Sequence, residues 1–474
     1  MAEKRMERRE WTKQALAGLA PELLKLHHEI WAYAEPSSAE VQSAKLLCEV
    51  LRQKGFTVEE NICGRPTAFI ATFGAGHPVV GYLGEYDALP GLSQQAGLPR
   101  HCPVSEGGYG HGCGHSALGT ASLAAALLAQ QYLQTSGQPG TVIYYGCAAE
   151  EGEGVKPLMA RDGYFDATDC VFAWHPGSTN GVVNMEMIAV KTAHIAFKGI
   201  TAHAGGAPHL GRSALDACEL MNVGVNYLRE HVIQEARLQY AYLDCGGTAP
   251  NVVQDHAKLI YGVRAPKTEQ AAEIMQRVVD CAKGAALMTG TTVEVTPRMG
   301  YSDLFQNKVV ASILNSAAQQ VGAPAWAEAD FELAKQFTDQ YTPAQQNDLQ
   351  QTVQRLYGKE QLQQVLEKPL DTKMEAFDET KMLKIYGCSD VGDVGYVTPT
   401  ASLSVATGAL GTPGHSWFMT GMTGSSIGEK GLLCAGEIMG LAGVMVYDDT
   451  ALLEGAQSER LGRTGGEYHC PMYV

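Results

Sequence analysis

Four short apolar runs, at about 67–73, 78–83, 141–146 and 170–174, alternate with segments of helical spacing at about 11–34, 38–54 and 116–134. Apolar runs of this length, without the alternation of a half-exposed strand, suit strands covered on both faces. Interleaved with helices, they predict an α/β fold, with a mixed, largely parallel sheet under a helical cover. Open sheets of this kind bind ligands beyond the carboxyl ends of their strands. The residues that follow each run are therefore where chemistry is expected.

Those residues are of one kind. Gly110-His111-Gly112-Cys113-Gly114-His115 precedes the helical segment at 116, and Glu150-Glu151 follows the third run. His175 follows the fourth, and His415, in Pro413-Gly414-His415, follows another apolar stretch at 403–409. Thiolate, imidazole and carboxylate are the side chains that bind borderline metals. Taken singly, each has a plainer explanation: a glycine-rich turn, a solvated acidic loop, a structural histidine. Recurrence at four strand ends favours a metal site. Gly112 and Gly114 allow the tight turn that would let Cys113 and His115 converge. Adjacent side chains diverge, so Glu151 can hold metal while Glu150 faces a water as general base. Glu85 and Asp87, after the second run, either orient a ligand imidazole or form an ordinary turn.

The pattern changes near residue 190. Strand, helix, strand, strand, helix and strand follow in turn to about 297, the ferredoxin-like α+β order. The expected organisation is a first domain over 1–189, an inserted domain over 190–298, and the first domain resumed over 299–474. A polar, glutamine-rich stretch at about 323–381 is expected as an insertion or cap. Within the inserted domain His203, Asn251 and Arg264 are of the types that polarise a carbonyl and clamp a carboxylate. For Arg264 a surface salt bridge explains as much.

Composition removes several classes of function. A net charge of −16 and no basic block argue against nucleic acid and anionic membrane partners. The charged N-terminal stretch does not read as a secretory signal, and no uninterrupted apolar run reaches the roughly 18 residues of a membrane span. Twelve scattered cysteines, mostly in apolar segments, predict a reduced, cytoplasmic chain.

Four segments together, Leu83-Gly84-Glu85-Tyr86-Asp87-Ala88-Leu89, the Gly-His-Gly-Cys-Gly-His loop, Thr201-Ala202-His203-Ala204 and Ser389-Asp390-Val391-Gly392-Asp393-Val394, carry a resemblance. The chain resembles, over nearly its whole length, the metallopeptidase family of aminoacylases, carboxypeptidase G and auxin-conjugate amidohydrolases, and within it the p-aminobenzoyl-glutamate hydrolase branch. The resemblance implies an aminopeptidase/phosphorylase-like catalytic domain with a two-metal centre, and an inserted lid domain that commonly also dimerises. It implies Cys113, His115, Glu151, His175 and His415 as ligands of two divalent ions, manganese or zinc, with Cys113 bridging. Glu150 corresponds to the general base and His203 to a residue assisting the substrate carbonyl, while Asn251 and Arg264 correspond to binders of the substrate carboxylate. The chain departs from the carboxypeptidase branch, which has a histidine ligand where Glu85 stands here. The implied activity is hydrolysis of the amide bond of N-acyl or N-aroyl amino acids. A homodimer through the lid is expected, and pairing with a homologous partner is another possibility. The alternatives are a dipeptidase, a non-catalytic member of a heteromeric hydrolase, or a conjugate-binding protein.

Overall fold

The computed structural model describes residues 2–472. They form two compact units. One comprises the residues through Met185 with Phe305–Leu383 and Val394–Glu467; the other comprises Glu186–Leu304, Lys384–Asp393 and the segment from Tyr468. The second unit thus takes in two stretches that the sequence pattern assigns to the first, because only long-range packing reveals where a short segment settles.

The first unit is built on a six-stranded sheet. Its strands are β1 (Thr57–Glu60), β2 (Phe69–Ala75), β3 (Val79–Gly84), β4 (Gly140–Gly146), β5 (Cys170–Gly177) and β6 (Thr400–Ala406), in the spatial order β1-β2-β4-β3-β5-β6. The four strands β4, β3, β5 and β6 run parallel, and β2 and β1 close one side antiparallel. Every residue of β3 and β4 is buried, as their unbroken apolar sequences require. The sheet is therefore mixed and largely parallel, as the alternation predicts.

The helix His115–Ser136 buries 17 of its 22 residues, which its alanine-rich, nearly all-apolar sequence allows. Against it lies Ser426–Asp448, a helix long and apolar enough to cross a membrane, whose most apolar window is 83% buried inside the protein. Side chains added at Gly436 and Gly440 would meet Ala124 at 2.8 Å and Leu128 at 2.6 Å, so these glycines set how closely the two helices pack. The 323–381 stretch is ordered as Glu328–Thr338, Pro343–Tyr357 and Leu362–Glu367. Phe337, Tyr341, Leu349 and Val353 share an apolar cluster with Ala409 and Leu410, on the loop that leads to His415.

The second unit contains a four-stranded antiparallel sheet with the chain order strand, helix, strand, strand, helix, strand. Its strands Thr292–Tyr301, Ala189–Lys198, His256–Ala265 and Arg237–Asp244 lie in that spatial order, and its helices Ala214–Leu228 and Thr268–Thr289 cover one face.

Candidate active site

Each predicted ligand of the first unit stands at the carboxyl end of a parallel strand. Glu85 directly follows β3, Glu150 and Glu151 lie four and five residues after β4, and His415 is in the loop beyond β6. His175 sits inside the last turn of β5 rather than after it. Gly114 makes the turn into the helix at φ +84°, and a side chain there would strike Pro176 at 2.7 Å. Glycine therefore lets the Cys113–His115 loop lie against the strand end that carries His175. His415 is held from the other side by a hydrogen bond from its backbone N–H to the Gly112 carbonyl, 3.0 Å.

The side chains converge. The donor atoms of Cys113, His115 and His175 lie within 4.8 Å of one another, as do those of Cys113, Glu151 and His415, and those of Glu85, His115 and Glu150. Two of the three trios share Cys113, the arrangement expected of a ligand common to two ions. Cys113 Sγ lies 3.3 Å from His175 Nε2, and His415 Nε2 lies 3.4 Å from Glu151 Oε1.

Neighbouring groups aim the imidazoles. Asp87 Oδ1 is 2.7 Å from His115 Nδ1, which leaves Nε2 as the lone-pair atom on the side of Glu85, Glu150 and Glu151. Asp87 Oδ2 accepts from the Glu151 backbone N–H (2.9 Å) and from Ser37 Oγ (2.7 Å), so one carboxylate fixes two ligand candidates. His175 Nδ1 lies 2.7 Å from the Pro176 carbonyl, which directs its Nε2 toward Cys113.

Two buried atoms of this cluster, His115 Nε2 and Glu151 Oε1, have no hydrogen-bond partner within the protein. Glu85 Oε2 is 3.2 Å from His115 Nε2, but without the geometry of a hydrogen bond. Buried polar atoms left this way are costly unless something outside the protein satisfies them. With a mixed sulfur, nitrogen and oxygen donor set, they fit metal ions. Burial pushes the Cys113 thiol up to about 12, so a cation would be needed to favour its thiolate.

One participant has no counterpart among the residues that the sequence singles out. Lys156 is fully buried and places Nζ 2.7 Å from Glu85 Oε1. Burial alone would raise the Glu85 pKa, but Lys156 and His115 outweigh it and hold the carboxylate below its ordinary range. Asp87, fully buried as well, is likewise held down by His115 and its hydrogen bonds against the opposing effect of burial. In sequence, Lys156 in Val155-Lys156-Pro157 looks like any solvated lysine at a helix start. The usable signal is its place in an otherwise apolar helix, Lys156–Arg161, whose first five residues are all buried.

A cavity of about 440 Å³ lies beside these loops. Ser178 and Thr179, just past His175, and Thr412 and Pro413, just before His415, form one wall; Gln345, Asp348, Thr352 and Arg355 of the helix Pro343–Tyr357 form the other. The polar insertion thus lines space next to two ligand-bearing loops.

The three remaining candidates belong to the second unit. His203 is exposed, and its Nδ1 accepts from the backbone N–H groups of Gly205 (3.1 Å) and Gly206 (3.0 Å), leaving the proton on Nε2. The Ala204 N–H donates to the Asn251 carbonyl, 2.9 Å, so the His203 and Asn251 loops are neighbours. Arg264, on His256–Ala265, donates to the Tyr386 carbonyl (3.3 Å) and to Cys388 Sγ (3.4 Å).

Residues 81–392 match the model of peptidase family M20/M25/M40, more than half of the chain. The chain belongs to this family. It is 40% identical over 451 residues to one of the two p-aminobenzoyl-glutamate hydrolase polypeptides of Escherichia coli, covering 94% of this chain and 93% of that one. To the other polypeptide of the Escherichia coli hydrolase it is 25% identical, over 66% of this chain and 85% of that one. It is 29% identical to mouse Xaa-Arg dipeptidase over 55% of this chain and 58% of that one. Among solved structures, an aminobenzoyl-glutamate utilization protein from Klebsiella pneumoniae superposes with a TM-score of 0.58 at 17% identity, covering 92% of this chain and 99% of that one. A dinuclear metal-binding M20 peptidase from Bacillus subtilis gives 0.56 at 16%, over 91% and 99%. Both share the fold. The chain is accordingly a hydrolase of amide bonds, and its family and donor set support bound metal ions.

Proposed function

We propose that this protein hydrolyses the amide bond of N-acyl or N-aroyl amino acids, p-aminobenzoyl-glutamate among them, at a two-metal centre. The observation that carries the reading is the pair of donor trios sharing Cys113, with Glu150 beside them. Cys113, His115, Glu151, His175 and His415 would hold the ions, manganese or zinc. Such ions polarise a scissile carbonyl and make water acidic enough to be deprotonated near neutral pH.

The residues then divide the work. Glu150 takes a proton from the attacking water as its oxygen bonds to the carbonyl carbon. As the C–N bond breaks, Glu150 returns that proton to the leaving nitrogen. His203, with its proton on Nε2, donates to the developing oxyanion, while Asn251 and Arg264 bind the carboxylate of the amino-acid part. Asp87 keeps His115 in the tautomer that presents Nε2, and Lys156 balances the charge of Glu85 so that its neighbours can be packed without repulsion.

Exposed apolar side chains support assembly through the second unit. Leu220, Val223 and Tyr227 form a stripe on Ala214–Leu228, and Tyr240 and Leu243 stand on the edge strand Arg237–Asp244. A homodimer is our reading; pairing with a homologous polypeptide, as the names of the two Escherichia coli relatives suggest, is the other form. The twelve unpaired cysteines fit a cytoplasmic protein.

The test is release of free amino acid from p-aminobenzoyl-glutamate, benzoyl-glycine and dipeptides, with and without chelator. Chelator-sensitive release from the acylated substrates is expected. Preference for dipeptides with a free amino terminus would favour the dipeptidase reading that the Xaa-Arg relative raises. No release from any of them by the metal-loaded chain would favour a non-catalytic role in a heteromeric hydrolase.

A further inference from the structure

In the second unit two arginines face each other across adjacent antiparallel strands: Arg237 is the register partner of Arg264. Directly opposed side chains stand about 5 Å apart at Cβ, and like charges placed so repel. Yet neither guanidinium has an acidic partner among the described residues. Arg264 donates only to neutral acceptors, the Tyr386 carbonyl and Cys388 Sγ. Arg237 donates to the Gln234 and Ala236 carbonyls, both at 2.9 Å, and lies over the Tyr386 ring, 5.2 Å from its centroid. Tyr386 thus tethers both, one through its carbonyl and one through its ring. The Lys384–Asp393 segment that brings Tyr386 and Cys388 here belongs to the second unit, so the pair and its tethers are one construction. Two cations held side by side by uncharged groups are arranged for anions from outside the protein.

We propose that Arg237 and Arg264 form a single site for two carboxylates, which makes the substrates amide conjugates of acidic amino acids. Arg264 takes the carboxylate common to all amino-acid conjugates, and Arg237 takes the second, on the side chain. A glutamyl group carries its carboxylates three carbons apart, a span comparable to the roughly 4.8 Å between neighbouring strands. The identification of the ligand as substrate rests on the amidohydrolase reading above.

The experiment compares p-aminobenzoyl-glutamate with p-aminobenzoyl-glycine as substrates, and glutarate with butyrate as ligands by calorimetry, for the full chain and its Arg237→Ala and Arg237→Lys variants. Arg237→Ala should lower the glutamate-over-glycine ratio of kcat/KM about tenfold, chiefly through KM, and Arg237→Lys should restore part of it. Glutarate should bind about tenfold more tightly than butyrate, and Arg237→Ala should abolish the difference. A ratio unchanged in Arg237→Ala, or glutarate binding no tighter than butyrate, overturns the site. Discrimination of glutarate by a chain that hydrolyses neither conjugate would keep the site and overturn the amidohydrolase reading instead.

Discussion

The two units hold their chemical groups in opposite ways. In the first, the side chains that converge are fixed by second contacts: Asp87 anchors both His115 and Glu151, Lys156 pairs with Glu85, and Gly112 ties the His415 backbone. In the second, His203, Asn251 and Arg237 are exposed, and they are positioned by backbone loops, carbonyls and one aromatic ring. A group that must hold metal or move a proton needs a fixed position, and burial with several partners supplies it. A group that meets a substrate carboxylate must keep its charge accessible, and an exposed strand or loop supplies that. The comparison predicts that mutations in the first unit act on stability, metal and turnover, and those in the second on substrate affinity.

The largest effect is expected at Lys156. Lys156→Met leaves Glu85 as an unpaired buried charge, a change that costs about 3–5 kcal/mol. Denaturant unfolding should show it; a change below about 1 kcal/mol would mean the cluster is not held by that pair. Next, Glu150→Gln should reduce kcat by a factor on the order of 100 or more, with the metal content of the chain unchanged. Asp87→Asn removes the carboxylate from His115 and should weaken metal binding roughly 10- to 100-fold, read by competition with a chelating dye. The smallest effect on the fold is expected in the second unit. Arg264→Ala should raise KM about tenfold for amino-acid conjugates, with metal content kept and stability within about 0.5 kcal/mol. Loss of metal in Arg264→Ala would erase the contrast between the units.

Much of the first unit is legible in the sequence because its signals are local and repeated. Apolar runs without alternation mark the strands, and Cys113, His115, Glu151, His175 and His415 each stand near the end of one. Asp87 is visible as an acid in a turn, but its two roles depend on His115 and Glu151 being folded around it. Lys156 escapes notice because nothing in its immediate neighbours shows that Glu85, 71 positions earlier, comes within 2.7 Å of it. The 323–381 stretch reads as polar, yet Leu349 and Val353 pack on the loop before His415, a contact set by tertiary structure rather than composition. The pairing of Arg237 with Arg264 depends on strand register, which no spacing in the chain reveals.

The central claim is metal-dependent amide hydrolysis by the cluster around Cys113. The most direct measurement is the metal content of the purified chain and of Cys113→Ala, made together with turnover of p-aminobenzoyl-glutamate before and after chelation. The account predicts two divalent ions per chain, activity abolished by chelator and restored by manganese or zinc, and loss of both ions and activity in Cys113→Ala. Full turnover by the metal-free chain, or two ions retained without Cys113, would contradict it.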